Sequence, residues 1–392
     1  MSVRGVLLAA FVAGLGLSIT LAETALALLT LLLLWRLRDP AFRAAARWPL
    51  WPPVVALVSV TVLSALLSGH TLTSLASGKS LLLVTALYVM ADAAREPVAA
   101  ERFLLGLSAA ATVAAVVGLL QVGLCPVPGG PVLSPRWLYH RCDRAHGFFS
   151  IYMTLAGVLS LVLLATLPRL LTGDSYLRRL AMPWLLMLWS LIVTYTRGAW
   201  IGFAAGVLTV AATIRRGRWL LVAGLIALAT AGLVAPPELR HRFLSMTDPE
   251  EAGVRERVYM WKSGFAMWRD RPLLGVGPGG VKREYPRYAL PEAFKKQTGH
   301  VHNTPLQILV ERGVLGLAAW LWLWAAFFAE VIRRLRGLPA DAWRERALLV
   351  GALAAVVGFL VGGLSEYNFG DSEVVMVAWA IMALPWAATR EQ

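Results

Sequence analysis

Residues 101–124 read ERFLLGLSAAATVAAVVGLLQVGL, and after Glu101 and Arg102 they contain no charged side chain. A helix rising 1.5 Å per residue needs about 20 such residues to cross a hydrocarbon core of about 30 Å, so this stretch reads as a membrane span. Working outward from it, apolar runs and their breakers give further candidate spans at 3–19, 21–37, 51–68, 75–94, 147–168, 181–196, 198–214, 218–235, 304–332, 345–365 and 373–389. The expectation is an all-α polytopic membrane protein of about twelve transmembrane helices. Composition points the same way. The 392 residues are 58% hydrophobic and only 15% charged, against roughly 25% charged in soluble domains, which excludes an ordinary soluble enzyme.

The stretch from Val3 to Trp35 is too long for one signal-peptide core and lacks a convincing small-residue cleavage site, so it reads as two retained helices. The formal charge of +14 is scattered between apolar spans. That distribution speaks for membrane topology and against nucleic acid. Cys125 and Cys142 share one loop, with no CxxC or Cys/His spacing for a metal. A disulfide is permitted there if the loop is periplasmic, although sequence separation does not set its geometry.

The positive-inside rule tests the count, because Lys and Arg in short loops favour the cytoplasmic side. The even-numbered connections hold Arg36, Arg38, Arg43 and Arg47; Arg95 and Arg102; Arg169, Arg178 and Arg179; Arg215, Arg216 and Arg218; and Arg333, Arg334, Arg336, Arg344 and Arg346. Both termini are then expected inside a bacterial inner membrane. Three of the short opposite connections carry almost no cation. The exceptions are the Cys125–His146 loop with Arg136, Arg141 and Arg144, the junction at Arg197, and the long polar segment. The resulting division is transmembrane helices 1–9 over 1–235, a large periplasmic loop over 236–303, and helices 10–12 over 304–392. That loop holds 12 Arg and Lys against 8 Asp and Glu. Within it, Val254, Val258, Trp261, Phe265 and Trp268 recur at spacings of four and three, which predicts an amphipathic helix against the outer membrane surface. Pro272 and the Gly275–Gly280 cluster end it, and the loop reads as a lid or platform over a site.

Several side chains stand out against this background. Arg197, in Thr-Tyr-Thr-Arg-Gly-Ala-Trp, sits at a membrane boundary on the side where cations are disfavoured, next to Gly198. Snorkelling accounts for many such arginines, and meeting an anion is the functional alternative. In Arg-Glu-Arg-Val-Tyr-Met-Trp, Arg257 lies nearer the apolar stripe than Arg255, which suits a solvated face. In Gly-His-Val-His-Asn-Thr-Pro-Leu-Gln (299–307), Thr304 reads as an N-cap and Pro305 as the first helical residue. His300, His302 and Asn303 would then stand at a helix N-terminus, a natural anion site that favours the neutral imidazole a general base needs. Glu311 and Arg312 interrupt an apolar helix, and Glu366, Tyr367, Asn368 and Asp371 crowd the last outer turn, where charges face a polar cavity or each other. Arginines and a helix N-terminus on one face form a receptor for a multiply charged anion. A lipid-linked pyrophosphate meets both the charge and the greasy surroundings, whereas no nucleotide fingerprint is present.

The segments Thr-Arg-Gly-Ala-Trp, Arg257 four residues before Trp261, Asp270-Arg-Pro-Leu-Leu-Gly-Val-Gly-Pro-Gly, His302-Asn-Thr-Pro-Leu-Gln with Glu311-Arg-Gly-Val-Leu-Gly, and Arg144-Ala-His-Gly-Phe-Phe-Ser resemble the O-antigen ligase and polymerase superfamily. The likeness runs from about 136 to the C-terminus, while the N-terminal third matches only as generic membrane helices. The resemblance implies a GT-C-like, metal-independent, inverting glycosyltransferase without a cofactor, acting at the periplasmic face. Its donor would be an undecaprenyl-pyrophosphate glycan and its acceptor a sugar hydroxyl of lipid A-core or of a growing glycan, with membrane lipids as its other partners. Carried over by position, Arg197 and Arg257 would hold the pyrophosphate and His302 would activate the acceptor or assist charge stabilisation. Arg144, Arg141, Arg136, Arg255, His300, Asn303, Glu311 and Tyr367 are the expected supporting contacts to pyrophosphate or glycan.

The ligase that joins O-antigen to lipid A-core is the first reading, and the polymerase that extends the lipid-linked chain is the second. Both need the same donor site. A lipid-linked sugar transporter is a reading of another class, although the two halves of the chain lack the matching broken helices of alternating access. A purely structural scaffold would leave the outer arginines unexplained.

Overall fold

A computed structural model of the chain describes residues 2–125, 143–172, 180–214, 219, 223–224, 251–339 and 341–388. Arg136, Arg141, Cys142 and most of the expected span 218–235 lie outside the described residues. The described part is helical, in the order α1 (Val3–Leu17), α2 (Ile19–Arg36), α3 (Pro40–Ala45), α4 (Trp51–Leu66), α5 (Thr71–Gly78), a 3-10 turn (Lys79–Val84), α6 (Thr85–Ala93) and α7 (Pro97–Gly123). There follow α8 (Tyr152–Leu171), α9 (Ala181–Val193), α10 (Arg197–Thr213), α11 (Ala252–Asp270), α12 (Gly280–Tyr288), α13 (Thr304–Gly337), α14 (Trp343–Gly362), α15 (Ser372–Met382) and α16 (Leu384–Ala388). Among the described residues, six helical stretches are long and apolar enough to cross a membrane: α2, Thr71–Ala93, α7, α8, α13 and α14. The apolar helices α1, α4, α9, α10 and Ser372–Ala388 are shorter.

Local chemistry explains where the helices divide. Ser18 ends α1 in extended conformation (φ −163°), and its hydroxyl accepts from the Leu21 amide at the start of α2. The hairpin closes tightly because Gly14 lies against the Ala22 backbone, where a Cβ would come within 2.5 Å. The centre of the bundle is α8, surrounded by α7, α9, α10, α14 and α15. Leu155, Leu159, Leu163 and Leu164 on it are fully buried. Gly198, Gly202 and Gly206 repeat every fourth residue along α10 and meet α14 and α8. A Cβ on Gly202 would reach 2.4 Å from the Gly358 carbonyl. Close backbone approach through small residues is how helices associate without a hydrophobic drive between them.

The long helix α13 is broken at Gly313, whose φ of 65° and ψ of −170° are closed to other residues. The 272–277 segment docks on the break. Val276 and Gly277 amides donate to the Val310 and Glu311 carbonyls at 2.9 and 3.0 Å, and the Val314 amide donates to Pro272 at 2.9 Å. From α4, the Ser64 hydroxyl lies 2.6 Å from the Leu274 carbonyl and 2.8 Å from that of Glu311. Backbone groups freed where the helix breaks are thus satisfied by the loop and by Ser64, as burial away from water requires. The glycine cluster therefore does more than end α11. Gly275, at φ +69°, brings the chain against α13, and Gly277, at φ +86°, against Ser68 and Ser74 at the α4–α5 turn, where side chains would collide.

The buried face of α11 differs from the expected stripe. Met260, Ser263, Gly264 and Met267 face inward, Trp261 and Trp268 are half-buried, and Val258 and Phe265 are exposed. Gly264 decides this rotation. Its missing side chain admits Val301, Leu306 and Val310, whose methyl groups lie 3.4–3.5 Å from its Cβ position. Close packing there wins over the larger apolar residues on the flank.

Candidate functional site

Five separated segments converge at the end of the bundle under α11. The first is 143–149, ahead of α8. Gln121 grips it, donating from Nε2 to the Gly147 carbonyl at 2.8 Å and accepting from the Gly147 amide at 2.9 Å. Gly147 has a positive φ of 60°, and a Cβ there would lie 2.7 Å from the Ala114 carbonyl. This turn directs Arg144 over the ring of Tyr152, with Cζ 4.3 Å from the centroid. The second segment is the α9–α10 junction. Tyr195 takes a left-handed φ of 53°, and Arg197 follows as the first residue of α10.

The third segment is α11, whose N-cap Glu251 accepts from the Val254 amide at 3.0 Å. The same carboxylate faces the Arg197 guanidinium fork on fork, with both N–O distances 3.3 Å. Arg257 projects inward from α11, and Arg255 is exposed on its other flank. The fourth and fifth are 299–304 and 364–368. Arg257 Nη2 donates to Glu366 Oε1 at 2.5 Å, and His302 Nδ1 lies 3.0 Å from Glu366 Oε2. One carboxylate thereby ties together a guanidinium and an imidazole 109 and 64 residues away in sequence.

These groups share a cavity of about 400 Å³. Arg144, Arg197, Arg257, Lys295 and His302 line it, with Glu251, Glu256 and Glu366 as the acidic members. Tyr195 and His302 (φ 50°) are two of the three non-glycine residues with positive φ among the described residues, and both are on its wall. Such conformations cost about 1–3 kcal/mol each and persist where surrounding contacts enforce them. Around His302 those contacts are the Gln307 side chain on the Val301 amide (2.9 Å), Trp261 Nε1 on the Val301 carbonyl (3.0 Å) and Asn303 Nδ2 on the Leu364 carbonyl (2.8 Å).

A second cavity of about 250 Å³ adjoins the first, sharing Met153, Thr196 and Glu366, and runs between α8, α10, α14 and α15. His300 and Tyr367 lie on its wall, with ring centroids 5.8 Å apart. Burial pushes the Tyr367 phenol up to about 12, and the Glu311 carboxylate acts in the same direction. Burial, then the neighbouring His302, pulls His300 down to about 4. The sign of the linkage follows. An unfolded chain protonates His300 near its ordinary 6.5 while the folded chain keeps it neutral, so stability contributed by neutral His300 is full above about pH 6.5 and is lost as pH falls toward about 4. The thermal midpoint of wild-type protein should therefore drop more between pH 7 and 5 than that of His300→Gln, a comparison made by thermal unfolding in detergent.

The residues singled out in sequence divide into two groups. Arg144, Arg197, Arg257 and His302 line the polar cavity, and His300 and Tyr367 line its apolar neighbour. Asn303 and Glu311 serve the backbone. Asn303 is the N-cap of α13, its Oδ1 accepting from the Leu306 amide at 2.8 Å, so the helix starts one residue earlier than the sequence reading placed it. Thr304 instead donates to the Glu366 carbonyl at 2.8 Å. Glu311 is buried, accepting from the Gly279 amide and Gln307 Nε2, both at 2.9 Å, and from Arg312 at 3.2 Å. Arg312 is buried beside it and donates to Thr61 at 3.0 Å. Cys125 is disulfide-bonded, and Arg136 and Arg141 lie outside the described residues.

Sequence reasoning passed over Glu366 and Glu251 as site members. Glu366 was visible only as part of a crowded polar turn, and Glu251 only as an acidic residue ahead of a helix. Among the described residues, no three His, Cys, Asp or Glu side chains gather as a metal-ligand set.

Residues 183–321 match the family described as O-antigen ligase. That match supports the O-antigen ligase and polymerase superfamily. The matched stretch of the O-antigen ligase family runs from α9 into α13 and includes Arg197, Arg257, His302 and Glu311, while Arg144 and Glu366 lie beyond it. No curated protein matches the chain.

Proposed function

We propose that the protein is a periplasm-facing inner-membrane glycosyltransferase that moves a glycan from undecaprenyl pyrophosphate to an acceptor sugar hydroxyl, with O-antigen ligation to lipid A-core as the leading reading. The observation that carries this is the convergence of Arg144, Arg197, Arg257 and His302, from four segments, on one cavity under α11. The O-antigen ligase match supplies the reaction class. Polymerisation on the lipid carrier uses the same donor chemistry and is the second reading. No feature of the cavity favours the transporter reading.

In this mechanism Arg197 and Arg257 receive the diphosphate, helped by Arg144. The carboxylates of Glu251 and Glu366 hold the two guanidiniums in place without substrate. His302 donates from Nδ1–H to Glu366, which leaves Nε2 with a lone pair for the acceptor hydroxyl. The hydroxyl oxygen attacks the anomeric carbon, its proton passes to Nε2, and the bond from that carbon to the diphosphate oxygen breaks with the electron pair leaving on the diphosphate. Charge growing on that oxygen meets fixed guanidiniums, so the barrier falls. A single displacement of this kind inverts the anomeric centre.

The test is transfer from a synthetic lipid-pyrophosphate glycan to lipid A-core and to a glycan acceptor, with chelator present. Arg197→Ala, Arg257→Ala and His302→Ala should each lose about 100-fold or more in turnover while remaining folded. Normal rates in all three would retire the site. Transfer only to a lipid-linked glycan would select the polymerase reading, and transport without bond formation would remove the enzyme.

A further inference from the structure

At the end of α7 remote from the Gln121 turn, a second cationic site lies outside the chemistry proposed above. Asp92 accepts from three arginines on three different segments: Arg4 at 2.5 Å and Arg36 at 2.7 Å on one oxygen, and Arg95 at 2.7 Å on the other. Asp92 is 10% exposed, whereas the three guanidinium side chains are 30–35% exposed. Each guanidinium has five N–H donors, so most remain available to an anion. Arg102 adds a fourth cation, exposed one turn into α7, with no ion-pair partner among the described residues. Three guanidiniums thus meet at Asp92, with Arg102 and the exposed Glu96 at the start of α7, and Glu101 is committed to Arg169 at 2.6 Å.

Beside this cluster runs an apolar furrow of about 830 Å³ between α1 and α7. Gly5, Ala9 and Ala13 form one wall and Gly106, Ala109 and Val113 the other. Ala94 and Arg102 also line it, placing it next to Arg95 and Asp92. The small side chains keep the furrow open toward the bilayer. A cationic end joined to a greasy slot complements a molecule with an anionic head and a long hydrocarbon tail.

We infer that this furrow holds an acyl chain of an anionic phospholipid from the leaflet at that end, with the lipid phosphate among Arg4, Arg36, Arg95 and Arg102. Basic pockets between spans recognise such headgroups, each cation near the surface contributing about fivefold in affinity. The bound lipid would pin α1, α2, α6 and α7 together and neutralise charge that the carboxylates leave over.

Native mass spectrometry of the full chain, titrated with phosphatidylglycerol and phosphatidylethanolamine carrying the same acyl chains, tests this. Wild type should bind phosphatidylglycerol about tenfold more tightly. Arg102→Gln and Arg95→Gln should each reduce that preference about fivefold. Neither removes Asp92's contacts to Arg4 and Arg36, and unchanged thermal midpoints without lipid will show that both variants fold. Ala109→Trp, which fills the furrow, should weaken both lipids. Equal affinity for the two headgroups, or variants that keep the wild-type preference, would overturn the inference. So would glycerol phosphate competing as well as the whole lipid, or a dimer joined through α1 and α7 that excludes lipid.

Discussion

Glu366→Gln is expected to lower turnover of lipid-linked glycan about 10–100-fold without raising the Michaelis constant for the donor. The amide keeps the size of the side chain but removes its charge. His302 then loses the anion that orients its ring and stabilises the protonated imidazole formed during transfer, a supporting contact whose loss typically costs that much. Arg257 is released from the same anion, so the diphosphate meets a freer guanidinium and donor binding holds or tightens. A merely structural carboxylate would not separate the two parameters in this direction. Steady-state kinetics on a lipid-pyrophosphate donor reads both. Unchanged turnover would show that the link between Glu366, His302 and Arg257 plays no part in the reaction.

Gly313→Ala is expected to abolish assembly of the folded protein, with a cost above about 3 kcal/mol. Two effects add at this position. The backbone, at φ 65° and ψ −170°, lies where only glycine is at ease, and a Cβ would come 2.1 Å from the Leu273 carbonyl. Relief through a regular helix would withdraw the Val310 and Glu311 carbonyls from the Val276 and Gly277 amides and undock the whole 272–277 segment. Since α11 and Arg257 precede that segment, the site would go with it. Thermal unfolding and size-exclusion profiles in detergent measure the loss. A monodisperse variant of wild-type stability would show that the break does not hold the loop. Gly337→Ala, at the far end of the same helix with open space around its Cβ position, is the milder comparison.

The motifs read from the sequence carry two kinds of information that spacing alone does not separate. In the His302-Asn-Thr-Pro-Leu-Gln run, His302 lines the cavity, while Asn303 caps α13 and Gln307 grips the Val301 amide. In Glu311-Arg-Gly, both charged side chains are buried against each other, Gln307, Thr61 and the Gly279 amide. Inference from charge in an apolar helix found Glu311 because burial of charge is costly and must have a reason. Whether that reason is a ligand or a neighbouring backbone depends on a fold that brings residue 279 to residue 311. Glu366 was passed over for the opposite cause: its partners are distant in sequence, and locally it is one of several polar residues crowding the same turn.

What the sequence by itself determined is the class of molecule and the position of most of its helices, because hydrocarbon-length apolar runs and their breakers are local properties of the chain. The resemblance of short motifs also located Arg197, Arg257 and His302. Tertiary structure alone decided which face of α11 turns inward, that the glycine-rich segment seals a broken helix, and that Glu366 joins the arginine to the histidine. Each of those depends on close approach between distant segments, governed by the space a missing side chain leaves and by which freed carbonyl finds an amide.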